Sequence, residues 1–83
     1  MEKFDTLRPG DEVSITIFGP DGSTLYQSTN TGYHSIEDAI NLVLAKANIG
    51  MDPKDCVFEV TNKTTDVSHR YRLNAHDNLK LII

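Results

Sequence analysis

Cys56, the single cysteine of the chain, and the histidines His34, His69 and His76 are the residues whose types could carry nucleophilic or metal chemistry. A cysteine becomes a nucleophile when a histidine or a cation lowers its pKa. Cys56 instead opens the alternation Cys56, Phe58, Val60, which places it on the inward side of a strand, and free cysteine is among the most buried residue types. A packing role is expected. The histidines show no i, i+4 pairing and no carboxylate at the spacing of a metal-binding helix, so neither a metal site nor a cofactor is expected. His34 precedes a helix start, His69 shares a strand face with Val67 and Tyr71, and His76 falls in a polar turn. No serine sits in a nucleophile elbow and no glycine-rich phosphate loop occurs, which leaves no catalytic residue to nominate. The expectation is a protein that is not an enzyme. Asn62-Lys63-Thr64 matches the glycosylation acceptor pattern, a chance match if the chain carries no secretory leader.

Composition narrows the rest. A chain of 83 residues buries only about 60% of the surface it exposes when unfolded, enough for one core. The net charge of -4 disfavours general nucleic-acid binding, which needs clustered cations to release phosphate counterions. A lone cysteine cannot form an intramolecular disulfide, as suits a reducing compartment. No apolar run approaches the roughly 20 residues of a membrane span, and the start Met1-Glu2-Lys3-Phe4-Asp5 lacks a secretory leader. A cytoplasmic protein without membrane insertion is expected.

The elements follow from periodicity. Residues 1–10, ending in Arg8-Pro9-Gly10, form an N-terminal arm or short extra strand, and residues 11–83 form the domain. Val13, Ile15 and Ile17 alternate with Ser14, Thr16 and Phe18, a strand with one buried face. Gly19-Pro20-Asp21-Gly22 then suits a type I turn with Gly22 at positive φ. With a three-residue loop, Ile17 faces Leu25 and Thr16 faces Tyr26, so Leu25 points inward and Tyr26 outward. Ser35 is a helix N-cap, and Ile36, Ala39, Ile40, Val43, Leu44 and Ala47 make one apolar stripe. Gly50 is the expected left-handed residue that closes the helix, with Pro53 preventing its resumption. Strands are expected from Cys56 to Thr61, from Val67 to Leu73, and from Leu79 to Ile83, with a turn from Asn74 to Asn78.

The order strand, strand, helix, strands, with an apolar last strand, resembles the ubiquitin-like β-grasp superfold. The likeness is strongest from Gly50 through Met51 and Asp52-Pro53 to Phe58 and Val60, and extends to Ser35-Ile36-Glu37 and Leu79-Lys80-Leu81-Ile82-Ile83. The stretch from Ile40 to Leu44 and the ending also resemble small ubiquitin-like proteins of type VII secretion systems. The segment Leu7-Arg8-Pro9-Gly10-Asp11-Glu12-Val13-Ser14-Ile15 is similar to the proline-glycine-aspartate opening of several β-rich domains, polysaccharide-export proteins among them. The β-grasp resemblance implies an α+β fold of order ββαβββ, one helix on a four- to five-stranded mixed sheet, with the last strand parallel to the first at its centre. It implies no conjugation, because the chain ends at Ile83 without Gly-Gly. From Val60 to Leu79 the spacing is shorter than in that family, so Val67 to Leu73 is also open to pairing as a hairpin.

By that resemblance the sheet face turned away from the helix is a docking surface, whose apolar positions map here to Glu59, Lys80 and Ile82. With Phe18, Tyr26, Arg70 and Arg72 they form the expected protein-binding face. A solvated sheet face needs polar residues in any case. The functional expectation is a noncatalytic protein-interaction module with an unidentified protein partner. The alternative is an accessory subunit of a larger enzyme or secretion complex.

Overall fold

The computed structural model describes residue 8, residues 10–73 and, by backbone alone, residues 79–81. The expected arm over residues 1–10 therefore lies almost wholly outside the described residues, as do the turn at residues 74–78, His76 and Ile82. The elements are β1 (Val13–Phe18), β2 (Thr24–Asn30), α1 (Ile36–Lys46), a single 3-10 turn (Pro53–Asp55), β3 (Val57–Asn62), β4 (Val67–Leu73) and β5 (Leu79–Leu81). An α+β chain in the order ββαβββ is what the periodicity predicts.

Among the described residues the sheet is antiparallel throughout rather than mixed. Its spatial order is β2-β1-β3-β4-β5 and every neighbouring pair is antiparallel. β5 pairs with β4, with Tyr71 opposite Leu81 and Leu73 opposite Leu79, and β3 takes the place beside β1 that a β-grasp gives to its last strand. Side-chain matching accounts for this choice. Ile17 meets Phe58 and Ile15 meets Val60 across the β1–β3 ladder, and such apolar pairs are the unit of sheet stabilisation. β3 and β4 then close as a hairpin, with Asn62 opposite Val67 and Asp66 in the left-handed region at φ 61°.

Because β2 and β3 both run antiparallel to β1, they run parallel to each other with β1 between them. α1 makes the crossover, and its length carries it over the face of β1. Its buried residues Ile36, Ala39, Ile40 and Val43 belong to one core with Val13, Ile15 and Ile17 from β1, Phe58 and Val60 from β3, and Tyr71 from β4. Tyr33, in the segment before the helix, also enters this core at 6% exposure and carries no periodic signal in the sequence. Ser35 caps the helix as expected, its hydroxyl accepting from Asp38 N at 3.0 Å.

Two local expectations are corrected. The hairpin turn forms as predicted, with Gly22 N donating to Gly19 O at 3.0 Å and Gly22 at φ 86°, and Phe18 pairs with Thr24. A β-bulge then shifts the register by one residue, so Ile17 pairs with Tyr26 rather than Leu25. Tyr26 thus falls on the helix side of the sheet. The cause is that β2 has two adjacent apolar residues, and strict alternation buries only one of them. With the extra residue, Leu25 and Tyr26 both pack against the core.

Gly50 does not close the helix. α1 ends at Lys46, and Ala47 is the cap, in extended conformation with its N–H donating to Val43 O at 2.8 Å. Gly50 nevertheless has φ 70°, in the turn leading to the 3-10 segment, where Pro53 takes the first helical position and Asp52 caps it by accepting from Lys54 N at 2.9 Å. A Cβ at Gly50 meets nothing within 4 Å, so only backbone strain opposes one. Gly50→Ala should lower stability by about 1 kcal/mol in denaturant melts; a neutral result would show that this turn relaxes freely.

Candidate functional site

The face of the sheet opposite α1 divides into two fields. Toward one end Ser14 lies between Thr29 and Thr61, and Thr61 Oγ1 is 2.9 Å from Ser68 Oγ. That end is lined by hydroxyls, with Ser14 itself buried. Toward the other end the register gathers larger groups. Phe18 pairs with Val57 across β1 and β3, Glu59 pairs with Arg70 across β3 and β4, and Arg72 lies two residues beyond Arg70 on the same face. The period of two makes this grouping unavoidable once β3 sits between β1 and β4.

Arg70 is the hinge of the cluster. Its Nε donates to Glu59 Oε2 at 3.2 Å, and its Cζ lies 5.7 Å from the centroid of the Phe18 ring. The Arg70 side chain is 58% exposed, so this ion pair contributes at most about 1 kcal/mol, and its main effect is to orient the guanidinium over the ring. Arg72 makes no ion pair or hydrogen bond among the described residues. The two arginines, Phe18 and Val57 line an open groove of about 350 Å³, whose rim is the hairpin turn through Gly19, Pro20 and Gly22. The turn is held closed from within. Gly19 N donates to Ser23 O, and the Asp21 carboxylate accepts from Ser23 Oγ at 2.7 Å and from Ser23 N at 3.0 Å. The Ser23 hydroxyl, and then its backbone N–H, hold the Asp21 carboxyl below the usual range.

Of the residues expected on the binding face, Phe18, Glu59, Arg70 and Arg72 come together. Tyr26 does not join them, for the register reason given above. Lys80 is placed by its backbone opposite Arg72, and Ile82 is outside the described residues. The groove also uses Val57, which alternation already sets on the same face as Glu59, and the turn residues Gly19, Pro20 and Gly22, which alternation does not reach. That Phe18 and Val57 meet is legible only once β3 is known to lie beside β1.

Cys56 is fully buried just before β3. Burial, and then the nearby Asp55 and Asp52 carboxylates, raise its thiol pKa, the opposite of what a nucleophile needs. Among the described residues no three His, Cys, Asp or Glu side chains converge as metal ligands. No helix among them is long and apolar enough to cross a membrane.

A second polar constellation is structural. Asn62, 4% exposed at the end of β3, donates from Nδ2 to Asp11 Oδ2 at 2.9 Å and accepts at Oδ1 from Thr64 N and Thr65 N. Asp11 Oδ2 also accepts from Arg8 N at 3.1 Å, and Glu12 N donates to Thr64 Oγ1. The β3–β4 turn is thereby clamped to the start of β1. Asn62 Nδ2 is thus committed inside the fold, which closes the Asn62-Lys63-Thr64 acceptor pattern to modification in the folded protein.

Among the described residues, fold and face together define an α+β unit with one helix, whose antiparallel sheet presents a small arginine-lined groove on the face opposite α1. Comparison of the chain with protein-family models, curated proteins and solved structures finds no match.

Proposed function

We propose that this chain is a noncatalytic protein-interaction module that docks an acidic partner segment on the sheet face opposite α1, at the groove between Phe18, Val57, Arg70 and Arg72. The observation that carries the reading is the charge arrangement. In a chain of net charge -4, two arginines flank an apolar floor, with Glu59 engaged by Arg70. Arginine beside an aromatic is the pairing that concentrates binding energy at interfaces, because the planar guanidinium bonds a carboxylate while its face stays on the ring. The groove volume suits one or two side chains, so the segment is a carboxylate beside a single apolar residue rather than a folded surface.

The test is a titration with a short Asp- and Glu-rich peptide bearing one leucine, followed by amide chemical shifts. Shifts should be confined to Phe18, Val57, Arg70, Arg72 and the Gly19–Gly22 turn, and should weaken as salt shortens the screening length to about 8 Å or less. Arg72→Glu should leave the melting temperature nearly unchanged, since exposed substitutions usually lie within about 0.5 kcal/mol, and should abolish the shifts. Shifts that persist unaltered in the combined Arg70→Glu and Arg72→Glu protein, or none at about 1 mM peptide, a concentration that registers even binding as weak as about -4 kcal/mol, would sink the proposal.

A further inference from the structure

β2 is an edge of the sheet, with no strand on its outer side among the described residues. One hydrogen bond determines which of its backbone groups are open. Lys63 N donates to Glu12 O at 2.7 Å, so Glu12 turns its backbone polar groups toward the β3 side. In an antiparallel ladder alternate residues turn theirs to opposite sides. Ser14, Thr16 and Phe18 therefore also bond toward β3, while Val13, Ile15 and Ile17 bond toward β2, to Asn30, Ser28 and Tyr26. The Gly19 N to Ser23 O bond agrees in parity. It follows that the N–H and C=O of Gln27 and Thr29 are directed away from the sheet.

Sheet edges are ordinarily kept apart by lysine, proline, bulges or brevity. The bulge in β2 lies at its beginning, and Tyr26 to Asn30 pair regularly with β1. The segment is also free of charge. Residues 22–36 contain no Asp, Glu, Lys or Arg in a chain that is 24% charged.

We infer that β2 is a self-association edge, on which a second copy of this chain pairs antiparallel about a two-fold axis through Ser28. Gln27 exchanges both N–H···O=C bonds with the partner's Thr29, and Thr29 does so with the partner's Gln27. Tyr26 then stands opposite the partner's Asn30. Every residue brought together is uncharged, and this selects a second copy as the occupant. Two molecules of net charge -4 repel, and a charge-free, self-complementary edge adds no local repulsion where they meet. A strand pair this short buries less than the roughly 1,000 Å² of stable complexes, so association belongs at high micromolar concentration. The inference is independent of the groove on the sheet face.

Sedimentation equilibrium, paired with amide hydrogen exchange at Gln27 and Thr29, tests it on the full chain. Wild-type protein should dimerise as concentration rises toward about 1 mM, with exchange at both amides slowing in step. The combined change Gln27→Lys with Thr29→Lys sets like charges opposite one another, and should weaken the dimer by about tenfold or more. So should Gln27→Glu with Thr29→Glu. Both variants should melt near the wild-type temperature, because these backbone groups do not serve the β1 ladder. Mixed in equal amounts, the two variants should recover a dimer. A wild type that stays monomeric overturns the inference, and protected Gln27 and Thr29 amides in that monomer would mean that the edge is covered from within the chain. A dimer kept intact by the double-lysine variant overturns it as well, by placing the contact elsewhere.

Discussion

Phe58→Ala should destabilise the protein by about 3–5 kcal/mol, the largest effect expected of any single truncation here. Phe58 is fully buried, pairs with Ile17 on one side and Tyr71 on the other, and so joins the three central strands beneath α1. Removing the ring takes packing from both ladders at once, and a chain of this length has only about 4–12 kcal/mol in total. Urea denaturation followed by circular dichroism measures the loss. Should the alanine variant fail to fold, Ile15→Val at the equally buried centre of β1 should cost about 0.5–1.5 kcal/mol with the same unfolding slope. A cost below about 0.5 kcal/mol for Phe58→Ala would mean that β3 is not a central strand.

Asn62→Ala comes next, at about 1–3 kcal/mol, because it removes three hydrogen bonds, one of them buried against an Asp11 carboxylate that keeps only the Arg8 N–H. Asn62→Asp is more informative, since it keeps the acceptor for Thr64 and Thr65 and replaces only the donor facing Asp11. In the wild type the Asn62 amide, and then the Arg8 N–H, hold the Asp11 carboxyl below its ordinary value. A carboxyl lowered in the folded state stabilises fully above its unfolded pKa of about 3.9 and loses that contribution as pH falls through the folded value. In Asn62→Asp two carboxylates face each other, and the folded state holds a proton more tightly than the unfolded chain does. Its stability should therefore rise as pH is lowered from 7 toward about 5, the pH range in which the wild type changes little. Thermal melts across that range check the two slopes. Parallel curves for the two proteins would show that Asn62 and Asp11 are not in contact.

The same Asn62 marks where sequence reasoning stopped. As one member of a polar run after a strand it signals a turn, and nothing local distinguishes it from Lys63 or Thr64. Its burial arises because the turn folds back on Asp11, about fifty positions away in the chain. Tyr26 gives a parallel case on the sheet. Alternation assigns it outward, and a single bulged residue, which leaves no period-2 signature, turns it inward.

What the sequence determined by itself were the features with a local physical cause. Apolar alternation specifies β1, β3 and β4, the 3.6-residue stripe and the Ser35 hydroxyl specify α1, and the glycines at φ 86° and φ 70° stand where turns need positive φ. It also determined that Arg70 and Arg72 share a face with each other, since residues two apart on a strand always do. The Gly19–Gly22 turn announced the β1–β2 hairpin, but which strand takes the other side of β1 was decided by tertiary structure. Strand order depends on cross-strand contacts such as Ile17 with Phe58, whose strength lies in shape and burial between distant segments and leaves no trace in the periodicity of either one. Placing β3 beside β1, and β5 beyond β4, replaced the mixed sheet suggested by element order with an antiparallel one. That placement also brought Phe18 and Val57 beneath the arginines and left β2 at the edge.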